Sequence, residues 1–154
     1  MPPSIPQPIL KGAKALVVGI ANDSSIAYGC AKAFREVGAD LAITYLNDKA
    51  RPFVEPLAKE LEAELFLPLD VSKEGELEAV FNAVAKRWGR LDILVHSIAF
   101  APREDLQGGL LECSAKGFGI AMDVFSADLE VGVPVDLDGA RDVTCGEELR
   151  FPDV

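Results

Sequence analysis

The sequence has few of the residues that build metal centres and disulfide frameworks. Its 154 residues include one histidine and three cysteines, Cys30, Cys113 and Cys145. The cysteines are odd in number and far apart, and no Cys-x-x-Cys pair is present, so neither a zinc site nor a disulfide framework is predicted. Cysteines that form no such framework are typical of a reducing compartment, and we therefore expect a cytoplasmic protein without a bound metal.

Positive charge is also scarce. Fifteen lysines and arginines stand against 25 aspartates and glutamates, which gives a net charge of −10 at pH 7. Nucleic-acid binding draws most of its affinity from basic side chains on phosphates, so this function is not predicted. We interpret the acidity as a contribution to solubility. It is concentrated in residues 125–154, where eight acidic and two basic residues contribute −6 of the total.

Long hydrophobic runs are missing as well. No stretch approaches the ~18 apolar residues of a membrane-spanning helix, so no membrane contact is expected. Residues 1–10 are rich in proline and lack a basic region followed by an apolar run, which argues against a secretory signal. We expect these ten residues to form a short, loose leader.

The sequence does contain a regular alternation of apolar strands and amphipathic helices. The first apolar run, Ala15 to Gly19, suits a strand that is buried on both faces of a parallel sheet. Strands that alternate with helices indicate βαβ units, so the predicted fold class is α/β, a Rossmann-like parallel sheet with flanking helices. The elements predicted next are a helix over 26–37, a strand over 40–45, a helix over 49–61, a strand over 65–70, a helix capped by Ser72 that includes Trp88, and a strand over 91–98.

This pattern weakens after about four strands. Ser114 could cap a further helix through Val124, but the sequence from Phe125 onward is acidic, irregular and interrupted by glycine and proline. We therefore expect a truncated sheet followed by a divergent tail that is either disordered or a short hairpin. The predicted organisation is a leader over 1–10, a partial dinucleotide-binding domain over 11–124 and this tail over 125–154.

The segment between the first strand and the first helix is a candidate phosphate site. A dinucleotide pyrophosphate needs backbone N–H groups at a helix N-terminus, where the helix dipole favours an anion. Gly19 and Ala21 would let the backbone come close, and Ser25 could offer a hydroxyl and a backbone N–H. The usual G-x-G-x-x-G spacing is absent, so an ordinary strand-to-helix turn is an equal alternative.

The next two strand ends carry candidate contacts to a nucleoside. Leu46 occupies roughly the place where NAD sites often carry an acid for the ribose, and no arginine is there to hold an NADP 2′-phosphate, which favours NADH. Asp48, two residues further along, could bind the ribose, but it is better explained as a turn-former or a helix cap. Asp70 could accept a hydrogen bond from an adenine amino group, although the pattern alone favours a helix cap that it forms together with Ser72.

The fourth predicted strand contains the single histidine, His96, and ends beside Ala99. No acid or nucleophile is spaced with His96 as a catalytic triad requires, so we interpret it as a structural residue. Ala99 is small enough to let a ribose or a nicotinamide lie over the strand end.

Taken together and in order, these motifs resemble the NADH-dependent enoyl-acyl-carrier-protein reductases of the short-chain dehydrogenase superfamily. The similarity extends over about residues 11–124. Its most specific part joins SIAYG after the first strand to HSIAFAP after the fourth, and the latter run disfavours a ketoacyl reductase of the same superfamily. The matching runs are VVGIANDSSIAYG (17–29), TYLNDK (44–49), LDV (69–71), WGRLD (88–92) and HSIAFAP (96–102).

The resemblance implies NADH as the cofactor and an enoyl group carried on acyl carrier protein as the substrate. The implied reaction is hydride transfer to the β-carbon of a trans-2-enoyl thioester. The residues that the resemblance assigns are Gly19, Ala21, Ser25 and Ile26 around the pyrophosphate, Leu46 beside the adenosine, Asp70 and Val71 at the adenine, Ser97, Ile98 and Ala99 along the ribose and nicotinamide, and Ala101 at the substrate end.

The same resemblance implies a catalytic Tyr and Lys, separated by six residues, on a helix beyond a fifth strand. The only tyrosines are Tyr28 and Tyr45, and no lysine follows Lys116, so no catalytic residue is predicted. Most elements that form the family's homo-oligomer interfaces are missing too. We expect the chain to be inactive alone, either as an enoyl reductase by descent or as a non-catalytic NADH-binding or subunit-interaction fragment of a truncated or frameshifted gene.

Overall fold

In the computed structural model, which describes residues 8–107 and 109–130, the strands form one parallel sheet in the order β3-β2-β1-β4. This confirms the predicted Rossmann-like α/β class. The strands are β1 (Lys14–Val18), β2 (Asp40–Tyr45), β3 (Leu65–Pro68) and β4 (Ile93–His96). The helices are α1 (Ile26–Glu36), α2 (Arg51–Glu60), α3 (Glu76–Trp88), α4 (Arg103–Leu106) and α5 (Ala115–Glu130), with a 3-10 turn at Leu110–Glu112.

Two apolar layers cover the central strands because side chains alternate between the two faces of a sheet. Ala15 and Val17 of β1 belong to one layer, which includes Ala27 of α1 and Val54 of α2. Leu16 belongs to the other, together with residues of α3. The continuous apolar run of β1 is therefore explained by burial on both faces, as the sequence predicts.

The order in which the parallel strands are added to the sheet reverses at β1. The chain proceeds from β1 outward through β2 to β3 and then returns to add β4 on the other side of β1. In open α/β sheets, ligands bind outside the carboxyl ends of the strands at such a switch point. The topology therefore predicts a ligand site at the loops that follow Val18 and His96.

Several predicted boundaries differ from the structure at the carboxyl ends of strands. β3 ends at Pro68 and β4 at His96, each two residues earlier than predicted, because the chain there leaves the sheet for the loops of the candidate site. The prediction that Ser72 caps the third helix is wrong. α3 begins at Glu76 after Gly75, which has a left-handed backbone.

The last described helix is longer than predicted. Ser114 does cap its start, since the Gly117 N–H donates to the Ser114 hydroxyl at 2.9 Å. The helix then continues through Phe125 to Glu130, so the expected loss of helix at residue 125 is wrong for the first residues of the predicted tail. The prediction for 131–154 and that for residues 1–7 of the leader lie outside the described residues.

The described end of the leader is attached to the sheet domain. The Leu10 N–H donates to the Val37 carbonyl at 2.9 Å. Within the described ranges, no helix has the length and apolar character that crossing a membrane requires.

Candidate cofactor site

A cleft of about 520 Å³ opens where β1, β2 and β4 end. It is mostly apolar, as expected of a preformed site for a cofactor. Six of the predicted cofactor residues line it together: Gly19, Ala21, Leu46, Ser97, Ile98 and Ala99.

Gly19 brings the ends of β1 and β4 into direct backbone contact. Its φ is +104°, and a Cβ atom at this position would lie 2.2 Å from the carbonyl oxygen of Ser97. The pairing of the two strands continues beside it, where the Ser97 N–H donates to the Val18 carbonyl at 3.0 Å. Only glycine fits, and the missing side chain leaves the floor of the cleft formed by backbone.

The N-terminus of α1 lies directly after this floor and suits a pyrophosphate. Ile26 is the first helical residue, and the first turn carries no acidic side chain to offset the positive end of the helix dipole. The first N–H groups of a helix have no partner within it and can bind an anion. These features fit the phosphate end of a dinucleotide.

Ser25 has a different local role from the predicted one. Its hydroxyl donates to the Asn22 carbonyl at 2.7 Å, and its N–H donates to the same carbonyl at 3.2 Å. Both donors that the sequence suggested for a phosphate therefore close the turn before α1. The helical N–H groups that begin at Ile26 are the available donors in this conformation.

The end of β2 forms one wall of the cleft. Leu46 is half-exposed there, and Asn47 and Lys49 line the same wall. The side-chain oxygen of Asn47 accepts the N–H groups of Lys49 and Ala50, both at 3.0 Å. Asn47 thus forms the turn that the sequence assigned to Asp48.

Asp70 and Val71 lie after β3, next to the cleft but outside its lining. The Asp70 carboxylate accepts the Ser72 hydroxyl at 2.6 Å and the Ser72 N–H at 3.1 Å. These bonds, with a smaller contribution from Lys73, hold the pKa of Asp70 below its usual value. Asp70 is therefore a fixed, ionised acceptor, although it does not cap α3.

A larger cavity of about 650 Å³ adjoins this strand end, between the start of α3 and α5. Val71 and Val124 both line it, together with charged groups that include Lys73 and Asp123. The cavity lies away from β1, the strand at which the strand order reverses. We therefore regard the smaller cleft as the principal site.

His96 is the last residue of β4. Its ring meets that of Phe125 edge-to-face, with centroids 6.2 Å apart. Its interpretation as a structural residue remains a prediction, which this packing supports. Ala101, predicted at the substrate end, follows two residues after Ala99 and is not part of the cleft lining.

Sequence reasoning missed residues that reach the site from other elements. Phe53 on the first turn of α2 lines the cleft although its side chain is 69% exposed. Thr44 is a buried polar residue of the same wall. A large apolar side chain exposed beside strand ends could have suggested Phe53, whereas nothing local indicates that Val124 lies near Val71. No cluster of three potential metal ligands occurs among the described residues.

Comparison with known proteins identifies the family. Residues 19–127 match the family model described as Enoyl-(Acyl carrier protein) reductase. The chain is similar to the Enoyl-[acyl-carrier-protein] reductase [NADH] FabI of Aquifex aeolicus, at 44% identity over 75% of this chain and 43% of the relative. For the protein of the same name from Nostoc sp., the identity is 42% over 85% of this chain and 50% of the relative.

Solved structures agree with this similarity. The Aquifex aeolicus enoyl reductase matches with a TM-score of 0.72 at 43% identity, over 77% of this chain and 48% of that one. A reductase from Anaplasma phagocytophilum, solved in complex with NAD, matches with a TM-score of 0.71 at 36% identity, over 77% and 47%. This chain thus spans about half the length of the relatives it matches, and it belongs to the enoyl-(acyl-carrier-protein) reductase family.

Proposed function

We propose that the cleft binds NADH and that this chain is the cofactor-binding half of an enoyl-acyl-carrier-protein reductase. The observation that carries the proposal is the backbone contact of Gly19 with Ser97, at the point where the strand order reverses. This contact joins the two strand ends into one floor that a flat ring and a ribose can approach. Relatives named for NADH and a neighbour solved with NAD support the choice of cofactor.

The two ends of the cleft would hold different parts of the cofactor. Leu46 and Phe53 supply apolar area on the β2 side for the adenosine, with Asp70 as the acceptor for the adenine amino group and Val71 beside it. The N–H groups from Ile26 onward would bind the pyrophosphate. NADH, when bound, supplies a hydride.

The opposite end of the cleft is suited to the ribose and nicotinamide. Ser97, Ile98 and Ala99 line it, and the exposed, small Ala99 leaves the strand end open. The proposed hydride acceptor is a trans-2-enoyl thioester on acyl carrier protein, with Ala101 at the substrate end. Cofactor and substrate would therefore meet over the end of β4.

We also propose that the chain alone does not catalyse the reduction. The Tyr28 hydroxyl donates to Glu60 at 3.0 Å, which joins α1 to α2 and raises the pKa of Tyr28. The Tyr45 ring packs on Phe66 at 4.5 Å. Neither tyrosine lines the cleft, and the sequence contains no Tyr and Lys separated by six residues.

The cofactor proposal is tested by filling the cleft without disturbing the core. Ala21 is exposed and lines the cleft, so Ala21→Trp should weaken NADH binding at least tenfold in a fluorescence titration. Ala85→Trp is the matched control, because Ala85 is exposed on α3 outside the cleft. Equal NADH affinity in the two variants would refute the proposed site.

The catalytic proposal is tested by NADH oxidation with crotonyl-CoA. The isolated chain should give no turnover above the buffer rate, because it supplies no residue to stabilise the enolate oxygen. Turnover proportional to the concentration of this chain would show that the chain contains a catalytic group.

The cytoplasmic location and the homo-oligomeric assembly of the family remain proposals for this chain.

A further inference from the structure

The two helix starts beside the cleft differ in the donors that they offer to an anion. The first N–H groups of α1 have no partner within the helix and can bind a pyrophosphate. At the start of α2, the corresponding groups are already used. The side-chain oxygen of Asn47 accepts the N–H groups of Lys49 and Ala50, both at 3.0 Å. The Asn47 carbonyl accepts the Arg51 N–H, also at 3.0 Å.

The rest of the first turn of α2 supplies no backbone donor either. Pro52 is the second residue of the helix and has no N–H group. The N–H groups of Phe53 and Val54 both donate to the Ala50 carbonyl, at 3.0 and 3.2 Å. A phosphate beside the end of β2 would therefore depend on side chains for its hydrogen bonds.

The cationic side chains near this turn are poorly placed for a phosphate. Among the described residues that line the cleft, Lys49 is the single charged one, and its exposure lets water and salt screen its charge. Arg51 is directed elsewhere and does not line the cleft. Its Nε lies 3.4 Å from the Glu55 carboxylate, and its guanidinium lies over the Tyr45 ring, 5.8 Å from the ring centroid.

Phe53 presents an apolar ring on the side of α2 that borders the cleft. It follows Ala50 by three residues, which places the two on the same side of the helix, and both line the cleft. The Phe53 side chain is 69% exposed, and that of Leu46 at the end of β2 is 52% exposed. An anion held against these two side chains would lose water without gaining hydrogen bonds, which is unfavourable.

We propose that Phe53 is a specificity-determining residue that excludes the 2′-phosphate of NADPH from the cleft. In dinucleotide sites the ribose hydroxyls lie near the end of the second strand, where an arginine accommodates the phosphate of NADP. Leu46 borders this position from the strand and Phe53 borders it from the helix, so Phe53 fills the second place from which a cation could reach that phosphate. The neutral 2′-hydroxyl of NADH tolerates the apolar wall. This inference rests on the proposed function, which puts the adenosine on the β2 side.

The test compares NADH and NADPH binding to the full chain by fluorescence titration, since both cofactors carry the same reduced nicotinamide. The unsubstituted chain should bind NADH at least ~10-fold more tightly than NADPH, because the phosphate is desolvated without a partner. Phe53→Arg should shift the ratio of the two affinities towards NADPH by at least ~10-fold, because hydrogen bonds between charged groups are among the stronger ones. Added salt should reduce this gain, since the new contact joins exposed charges.

The matched control is Ile9→Arg, which puts the same cation in place of an exposed apolar residue. Ile9 is 78% exposed, lies before β1 and does not line the cleft, so the ratio of affinities should stay the same. Phe53→Leu retains an apolar side chain and should retain the preference for NADH. Equal affinities for the two cofactors in the unsubstituted chain, or an unchanged ratio in Phe53→Arg, would overturn the role of Phe53. If the unsubstituted chain binds neither cofactor, the proposed function itself fails.

Discussion

The central strands β1 and β2 and the edge strand β4 differ sharply in how well they are covered. Four of the five residues of β1 are buried and β2 is buried from Leu41 to Tyr45, whereas no residue of β4 reaches full burial. The candidate cofactor site spans this difference, because Gly19 and Leu46 follow the covered strands and Ser97 follows the open one. The β2 side of the cleft therefore follows a buried strand, whereas the β4 side follows a strand that the described residues leave partly exposed.

The largest expected effect compares the two leucines that face each other across β1 and β4. Leu16→Ala should cost about 2–5 kcal/mol of unfolding free energy, because it leaves a cavity in a close-packed layer. Leu94→Ala, at the register partner, should cost less than about 1 kcal/mol because that side chain is partly exposed. Urea denaturation of the two variants measures this, and equal losses would contradict the unequal cover.

The next effect concerns the backbone contact between Gly19 and Ser97, which joins the ends of β1 and β4. Gly19→Ala should cost roughly 1–3 kcal/mol from the backbone conformation alone and should also weaken NADH binding, because the new Cβ separates the ends of β1 and β4. Gly29→Ala is the control, since a Cβ there meets nothing within 4 Å and a helical alanine is favoured. Thermal melts and NADH titrations of both variants provide the measurement.

A smaller effect is expected at the start of α5. A Cβ on Gly117 would overlap the Asp105 carboxylate, which accepts the Ser114 N–H at 2.6 Å. Gly117→Ala should displace that carboxylate and cost about 1 kcal/mol, the usual value of a helix cap. Gly119→Ala, where nothing lies within 4 Å, should be neutral or stabilising. The reverse order of stability would show that Asp105 does not hold this helix.

The smallest effect is a pH dependence in the loop that follows β3. Because the folded pKa of Asp70 is lowered, chiefly by the Ser72 hydroxyl, its stabilising contribution is complete above the ordinary aspartate pKa and is lost as pH falls through the lowered value. Ser72→Ala should move the Asp70 titration midpoint upward. Carbon-detected NMR titration of the Asp70 carboxyl follows this directly, and an unchanged midpoint would exclude Ser72 as the cause.

Local sequence patterns are sufficient to predict the fold and six of the residues that line the candidate cleft. The apolar run at Ala15 to Gly19 predicted a buried parallel strand, and the structure confirms it because burial on both faces leaves no position for a polar side chain. Gly19 and Ala99 were identified by their small size at strand ends. Six predicted cofactor residues line one cleft because they follow parallel strands, whose carboxyl ends lie at the same edge of the sheet.

The remaining features depend on contacts between distant segments, which a local pattern does not contain. The requirement for glycine at residue 19 comes from the Ser97 carbonyl, and the exposure of Phe53 beside the cleft depends on where α2 crosses the sheet. Ser72 looked like a helix cap, but the Asp70 carboxylate binds both of its donors. The sequence does not predict the extension of α5 past Phe125, because glycine and proline recur from Gly132 onward and indicate an irregular segment, whereas the helix continues to Glu130.

The most direct test of the account is an amide NMR titration of the isolated chain with NADH. We expect saturable shifts at Gly19, Ala21 and Ile98, which lie at the carboxyl ends of the strands. The amides of Lys14 and Asp92 lie at the opposite end of the sheet and should remain unchanged. The Lys14 N–H donates there to the Asp92 carboxylate, and the Asp92 N–H donates to the Lys14 carbonyl. No shifts at saturating NADH, or shifts confined to the Lys14 end, would contradict a cofactor site in this cleft.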